Sequence, residues 1–491
     1  MDEPTKSEET LAPKPEENSS EPTLTESPSD PTPPTLKQST GKSYKKPLLI
    51  GVALLVLIGV GLGMWHMVKK HHDDEVARKA VAGYGSPLGQ QPGDLGSVVS
   101  TDPVQRGKAL SNGQCSGTGS KKLGSAPMRP SDVSIVVPYG LLAGGHVTPV
   151  DHQYYWGKVQ MGEPDTYDVL APADGHIVGI QFRDHHGQGK VKGDYRVVIS
   201  YSCTFLSYFD LATSLAPSVA AQLPKGWETG NQSVHINMPV KQGQVIAKMG
   251  AQSLDYAVWD TTKTDKNLLV PDAYNVAEPW KINTVNPLNY YTEAVKQQIL
   301  PLYGRTVEPR DGVIGQDIDG KLVGNWFQEG SYGYAGYPQF MGQFDYFKGH
   351  LAMVHNLYDP SAYMFSIGSY ASSGDAQQFI IKNPMVAPDK ADATSGIVKY
   401  DLSVLTYTDQ NGASWNGQGP AKAVTAHASN TMGTALVQMQ SPRKVKVEVF
   451  PGKMPEQVTG FTSAAKIYTR GEDAKNSPAI KSPGAPTSTA K

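Results

Sequence analysis

The run from Pro47 to Val68 (PLLIGVALLVLIGVGLGMWHMV) contains no Asp, Glu, Lys or Arg. About 20 such residues suffice to cross a bilayer as a helix. Lys45 and Lys46 precede the run, Lys69 and Lys70 follow it, and Trp65 lies near its end, where an interfacial indole is expected. It begins too far from Met1 and is too long for a cleaved signal peptide. The sequence therefore predicts a single transmembrane helix over 47–68. Charge does not orient it, because Lys37, Lys42, Lys45 and Lys46 on one side are matched by Lys69, Lys70, Arg78 and Lys79 on the other. The two cysteines, Cys115 and Cys203, both follow the span. They suffice for one disulfide, which would place the larger part in an oxidising, extracytoplasmic compartment; the alternative is two buried free thiols.

The span divides a chain of 491 residues, a length that predicts more than one domain. Residues 1–46 are rich in Pro, Thr, Ser and Glu with few large apolar residues, and are expected to be a disordered tail. Residues 69–124 read as a short charged helix and a Gly/Ser/Pro-rich linker, in which His71-His72 is expected to be a solvated face. Residues 125–297 and 298–469 read as two β-rich domains, and 470–491 as a second disordered tail. Gly (50) and Pro (37) are plentiful and Tyr (24) outnumbers Phe (11), as expected of short strands joined by many turns. The formal net charge of −2 argues against a nucleic-acid partner.

In the first domain, strands are expected at Val133–Pro138, Tyr167–Leu170, His176–Phe182, Tyr195–Ser202, Val234–Met238, Val245–Met249 and Ser253–Trp259. Helices are expected at Leu211–Gln222 and Asn289–Leu302. Ala173-Asp174-Gly175, between apolar runs, predicts a hairpin. Just ahead of it stand His146, Asp151 and His152, a polar cluster capable of holding a metal. The aromatic run Tyr154, Tyr155 and Trp156 is either partly buried or a sugar-stacking platform. His185-His186 reads as a hairpin tip, and His235 as structural. In the second domain Leu351–Val354 reads as a buried strand and Lys444–Phe450 as an alternating one, so a sandwich or small barrel is expected. Trp326, Tyr332, Tyr334 and Tyr337 suit core packing or an aromatic binding face.

Between His146 and Asp260 the order of signals resembles the M23 (lysostaphin/LytM-like) zinc peptidases. APADGHIVGI resembles that family's A-x-x-dG-x-V hairpin, and VVISYSCTFLSYFDL its strand ending in Y-x-H-L. PVKQGQVIAKMG resembles its V-x-x-G-Q-x-I-G-x-x-G turn, and SLDYAV its H-x-H-F-E-V strand. The resemblance implies a small antiparallel β-sheet groove and peptidoglycan cross-bridges as the usual substrate.

The departures fall on the chemistry. The family's zinc is held by H-x-x-x-D and the second His of H-x-H. Asp151 fits the Asp, but Val147 stands four residues earlier and His146 is one out of step. Asp255 replaces the ligand His, while Asp210 and Ser253 occupy the catalytic His positions. His146, Asp151, His152 and Asp255 could supply a His/Asp metal set, better suited to Ca²⁺ or Mn²⁺ than to zinc. The two histidines could equally be satisfied side chains at a tight turn, with no metal at all. Neither Asp210 nor Ser253 replaces an imidazole as a proton shuttle near neutral pH. The chain also lacks H-E-x-x-H, G-x-S-x-G and Walker A motifs. Two functions are therefore expected to compete. One is a membrane-anchored, non-catalytic envelope protein whose groove binds peptidoglycan, a glycan or a protein partner. The other is an active metallopeptidase with an altered ligand set.

Overall fold

A computed structural model describes residues 100–470, except 160–161, 185–190, 192, 229–232, 276, 338–345 and 372–373. The expected span at 47–68, both expected tails, His71-His72 and His185-His186 lie outside the described residues. Among the described residues no helix is long and apolar enough to cross a membrane.

The architecture is mainly β. The strands of the first part are β1 (Val133–Val137), β2 (Gln153–Gly157), β3 (Tyr167–Leu170), β4 (Gly175–Asp184), β5 (Gly193–Ser202), β6 (Phe205–Ala212), β7 (Ser214–Leu215), β8 (Ser233–Val240), β9 (Val245–Met249), β10 (Leu254–Asp260) and β11 (Thr284–Val285). Eight of them form one sheet in the order β1-β2-β10-β6-β5-β4-β8, with β11 on β10. The other three make a small sheet, β3-β9-β7. All pairings are antiparallel.

The large sheet is covered on both faces. Side chains alternate along a strand, so Val197 and Ile199 of β5 join the core shared with β3 and β9, while Val198 points to the opposite face. On β10, Leu254, Tyr256 and Val258 face the first core, and Ala257 and Trp259 face the second. This second face packs against the segment carrying Tyr274, Trp280 and Ile282, and against Phe327, Tyr332 and Tyr334. Double coverage explains why every residue of β10, two aspartates included, is buried.

The second part is a closed barrel of β12 (Gly324–Gln328), β13 (His350–His355), β14 (Tyr363–Ile367), β15 (Gln377–Lys382), β16 (Val398–Asp409), β17 (Val424–Ser441), β18 (Lys444–Pro451) and β19 (Lys466–Thr469). Closure is completed where β12 pairs with β19, which leaves no free edge in the ring. Trp326, Met353, Phe365, Tyr400 and Tyr468 fill its interior. Trp326, Tyr332 and Tyr334 are thus core residues, and Tyr337 is half-buried.

Two local expectations are corrected. The Asp174-Gly175 turn does not close a hairpin: β3 pairs with β9, whereas β4 pairs with β5 and β8. The turn carries the chain from one sheet to the other. Asp174 is held instead by the backbone N–H of Gln242 at 2.8 Å and by Lys241 at 3.0 Å. The helix expected over Leu211–Gln222 shrinks to Pro217–Ala220, because Leu211 and Ala212 finish β6 and Ser214–Leu215 forms β7. In that stretch sheet pairing overrides helix propensity.

Cys115 and Cys203 are joined in a disulfide, with Cα atoms 4.9 Å apart and a sequence separation of 88. Cys203 lies in the β5–β6 turn, and its N–H donates to the Gly117 carbonyl at 3.0 Å. The helix Pro103–Leu110 reaches the same turn through Gly107, where a Cβ would lie 1.5 Å from the Cys203 carbonyl oxygen. A loop of this length is worth about 4–5 kcal/mol in the chain-entropy treatment. Replacing both cysteines by serine is expected to cost about 2–5 kcal/mol, read as a lower urea midpoint.

Candidate functional site

The second face of the large sheet carries an unusual density of buried charge. Asp255 of β10 lies in register with Tyr154 of β2 on one side and Asp210 of β6 on the other. Asp151 and His152 immediately precede β2, so the sheet itself brings these residues together. The His152 ring lies between two carboxylates, with Nδ1 3.4 Å from Asp151 Oδ1 and Nε2 3.3 Å from Asp255 Oδ2. The Tyr154 hydroxyl is 3.1 Å from the same Nε2. His146 packs edge-on against His152, ring centroids 5.4 Å apart. The candidate ligands His146, Asp151, His152 and Asp255 therefore do share one site.

What the sequence reading missed is the cation beside them. Lys281, in the short turn Lys281–Asn283, is fully buried. Its ammonium lies 4.0 Å from Asp151 Oδ1 and 3.6 Å from Glu278 Oε2, and 4.8 Å from the centre of the Tyr334 ring. At these separations the pairing is by charge and ring quadrupole, not by hydrogen bond. Tyr334 and its neighbour Tyr346 come from the connection between β12 and β13, so the barrel part closes over the sheet at this point.

The protonation states follow from these neighbours. Burial works to raise the Asp151 carboxyl, but Lys281 and then His152 overcome it and hold it at about 2. Burial raises Asp255 to about 7 despite His152. Burial lowers His152, yet Asp255 and Asp151 together leave it above its usual value. His146 is lowered to about 3 by burial, then by the positive charge of His152 and Lys281. Burial also raises Glu278, with Asp151 adding to the effect. Near neutral pH Asp151 is thus ionised and His146 neutral, while His152 and Asp255, 3.3 Å apart, are both shifted toward their protonated forms.

A second ion network occupies the neighbouring stretch of sheet. Asp210 accepts from Arg196 Nη2 at 2.8 Å and Nε at 3.2 Å, from the Tyr208 hydroxyl at 2.5 Å, and from Arg183. Arg183 also donates to Asp194, with Nε 2.8 Å from Oδ1. Burial pushes the Asp210 carboxyl up, but Arg183 and Arg196 outweigh it and hold it well below the usual range. A carboxylate so engaged does not abstract a proton near neutral pH. Ser253 donates to Asp255 Oδ1 at 3.4 Å. Glu278, Lys281, Arg183 and Arg196 carry no local sequence signal; only their burial marks them.

The fit of a divalent metal can be judged from this donor set. A zinc site needs neutral imidazoles and ionised carboxylates converging on one point, with no competing cation. Here Lys281 stands within ion-pair distance of Asp151, and the His152 ring lies between Asp151 and Asp255, one nitrogen toward each. Among the described residues no group of three His, Cys, Asp or Glu is arranged to hold a metal ion. As placed, with Lys281 beside Asp151 and His152 between the two aspartates, the residues do not converge as a zinc ligand set.

No protein-family model matches the chain. No curated protein matches it significantly. Among solved structures, a zinc containing peptidase from Vibrio cholerae matches over 30% of this chain and 41% of its own, with 17% identity and a TM-score of 0.20. This chain thus spans less than half the length of that protein. A likeness of this extent bears on neither fold, activity nor substrate.

Proposed function

We propose that this is a membrane-anchored cell-envelope protein whose M23-like domain is non-catalytic and serves to bind peptidoglycan, an envelope glycan or a protein partner. The observation that carries the reading is the Lys281 ammonium beside Asp151 and Glu278. It places a side-chain cation beside Asp151, the carboxylate that a peptidase of this family would turn toward its metal. The two positions where that family places catalytic histidines support the same reading. Asp210 is neutralised by two arginines, and Ser253 is a hydrogen-bond donor to Asp255. Neither supplies a base, and loss of a positioned general acid or base costs about 10²–10⁴ in rate. The disulfide Cys115–Cys203 favours an extracytoplasmic placement of both β parts.

The test is incubation of the full-length protein in detergent with isolated peptidoglycan, with and without added zinc. The expected outcome is no release of soluble muropeptides above background. Release that disappears in Asp151→Ala and Asp255→Ala variants would establish the metallopeptidase reading instead.

A further inference from the structure

We infer that a separate, uncharged aromatic cleft where the first β part meets the barrel binds a saccharide of one or two pyranose units. The cleft has a volume of about 310 Å³, at the lower end of the range for small-molecule sites. Trp156 of β2, Tyr358, Tyr407 and Trp415 line it, together with Asn416 and Gln418. Asp, Glu, Lys, Arg and His are all absent from its lining. An anionic ligand would find no countercharge there, so the walls suit an uncharged or cationic group.

The walls are preorganised. Trp415 packs nearly perpendicular to Tyr358, centroids 4.7 Å apart, and to Tyr407 at 5.8 Å. Its indole N–H donates to the Gly419 carbonyl at 2.9 Å, and its backbone N–H donates to the Tyr407 carbonyl at 2.9 Å. The Tyr407 hydroxyl accepts from Asn356 at 2.7 Å. Asp409 accepts from the N–H groups of Asn411 and Ala413 at 2.8 and 3.0 Å, which sets the turn carrying Trp415. Rings fixed in this way contribute contact area at little entropic cost.

Three ligand classes suit rigid aromatic walls: the apolar C–H face of a pyranose, a polyproline helix, and a quaternary ammonium cation. Asn416 and Gln418 decide among them. Both are exposed and tied to each other, Asn416 Nδ2 donating to Gln418 Oε1 at 3.0 Å and the Gln418 backbone N–H to Asn416 Oδ1 at 3.1 Å. An amide nitrogen carries two N–H groups and an amide oxygen two lone pairs, so the pair still donates and accepts. Sugar hydroxyls answer both functions, whereas the backbone of a proline run offers only acceptors and a quaternary ammonium neither. The saccharide is therefore favoured. Trp156 and Tyr154 alternate onto the same face of β2, yet the cleft shares no lining residue with the buried ion network. The inference accordingly does not depend on whether that network is catalytic.

The test is calorimetric titration of the full-length protein in detergent with three probes: an N-acetylglucosamine hexamer, a glucose hexamer and a proline-rich decapeptide. Saturable binding of either sugar is expected, weakened at least about tenfold by Trp415→Ala. Trp415 also packs the turn, so an Asn416→Ala/Gln418→Ala double variant, which keeps every aromatic side chain and removes the Asn416–Gln418 hydrogen bonds, is the second arm and is expected to weaken binding several-fold. Preference for the first sugar indicates amino-sugar strands of a wall, and preference for the second a neutral glucan. Absence of saturable sugar binding, sugar binding unchanged in both variants, or binding of the peptide in place of the sugars would overturn the inference.

Discussion

Replacing Lys281 by methionine is expected to cost about 3–5 kcal/mol of stability, or to prevent folding altogether. The ammonium is fully buried and is the cation that holds the Asp151 carboxylate low. Methionine fills a similar volume, so the cost is electrostatic and not a cavity. Asp151, itself 2% exposed, would be left as a buried anion with only His152 beside it. Removing one partner of such a pair is far more damaging than removing both, because the survivor keeps its desolvation penalty. The double variant Lys281→Met/Asp151→Asn should therefore recover much of the loss. Urea denaturation of the four members of this cycle reads the coupling directly. A loss in the double variant equal to the sum of the two single losses would show that the two groups do not interact.

The second large effect lies in the pH dependence of stability, and Asp255→Asn isolates it. Asp255 is raised to about 7 in the folded protein by burial, against about 3.9 for an unfolded aspartate. A raised carboxyl binds an extra proton in the folded state between these values, so its contribution is present at pH 4 and lost as pH rises through 7. The raised His152 acts in the same direction above about pH 6.5. His146, lowered to about 3, opposes both: its contribution is lost as pH falls from about 6.5 toward 3. Between about pH 4 and 6.5 the extra proton on Asp255 and the missing one on His146 nearly cancel. Asp311, also raised to about 7 by burial, adds its own loss above neutrality, so the comparison must be between variant and wild type. Asparagine mimics the protonated acid. Asp255→Asn should be close to wild type at pH 5 and more stable than it at pH 8, by roughly 1–3 kcal/mol. A stability difference that does not change between pH 5 and 8 would mean that Asp255 is ionised throughout.

Much of the fold was legible where the chain obeys simple periodicity. Tyr167–Leu170 and Val245–Met249 are strands with the expected ends, and the alternation in Lys444–Phe450 matches β18. Elsewhere the sequence misled for identifiable reasons. Asp174-Gly175 reads as a hairpin because turn chemistry is local, while the pairing of β3 with β9 joins residues far apart in sequence. Gln153–Gly157 gave no strand signal because it is buried on both sides and so does not alternate. The site divides in the same way. His146, Asp151, His152 and Asp255 were visible through motif order. Lys281 was not, because nothing in Trp280-Lys281-Ile282-Asn283 tells a buried ammonium from a surface one. Arg183 and Arg196 flank a Gly-rich stretch that reads as solvent-exposed, and only the register of β4, β5 and β6 turns them onto Asp210.

The central claim is that the buried Lys281 ammonium, and not a metal ion, is the cation beside the Asp151 carboxylate. It is tested most directly by the zinc content of the full-length protein after equilibrium dialysis against micromolar zinc, compared with Asp151→Ala and Asp255→Ala variants. The account predicts that any zinc retained is the same in all three proteins, because neither aspartate ligates it. About one zinc per chain in the wild type, lost in both variants, would contradict it.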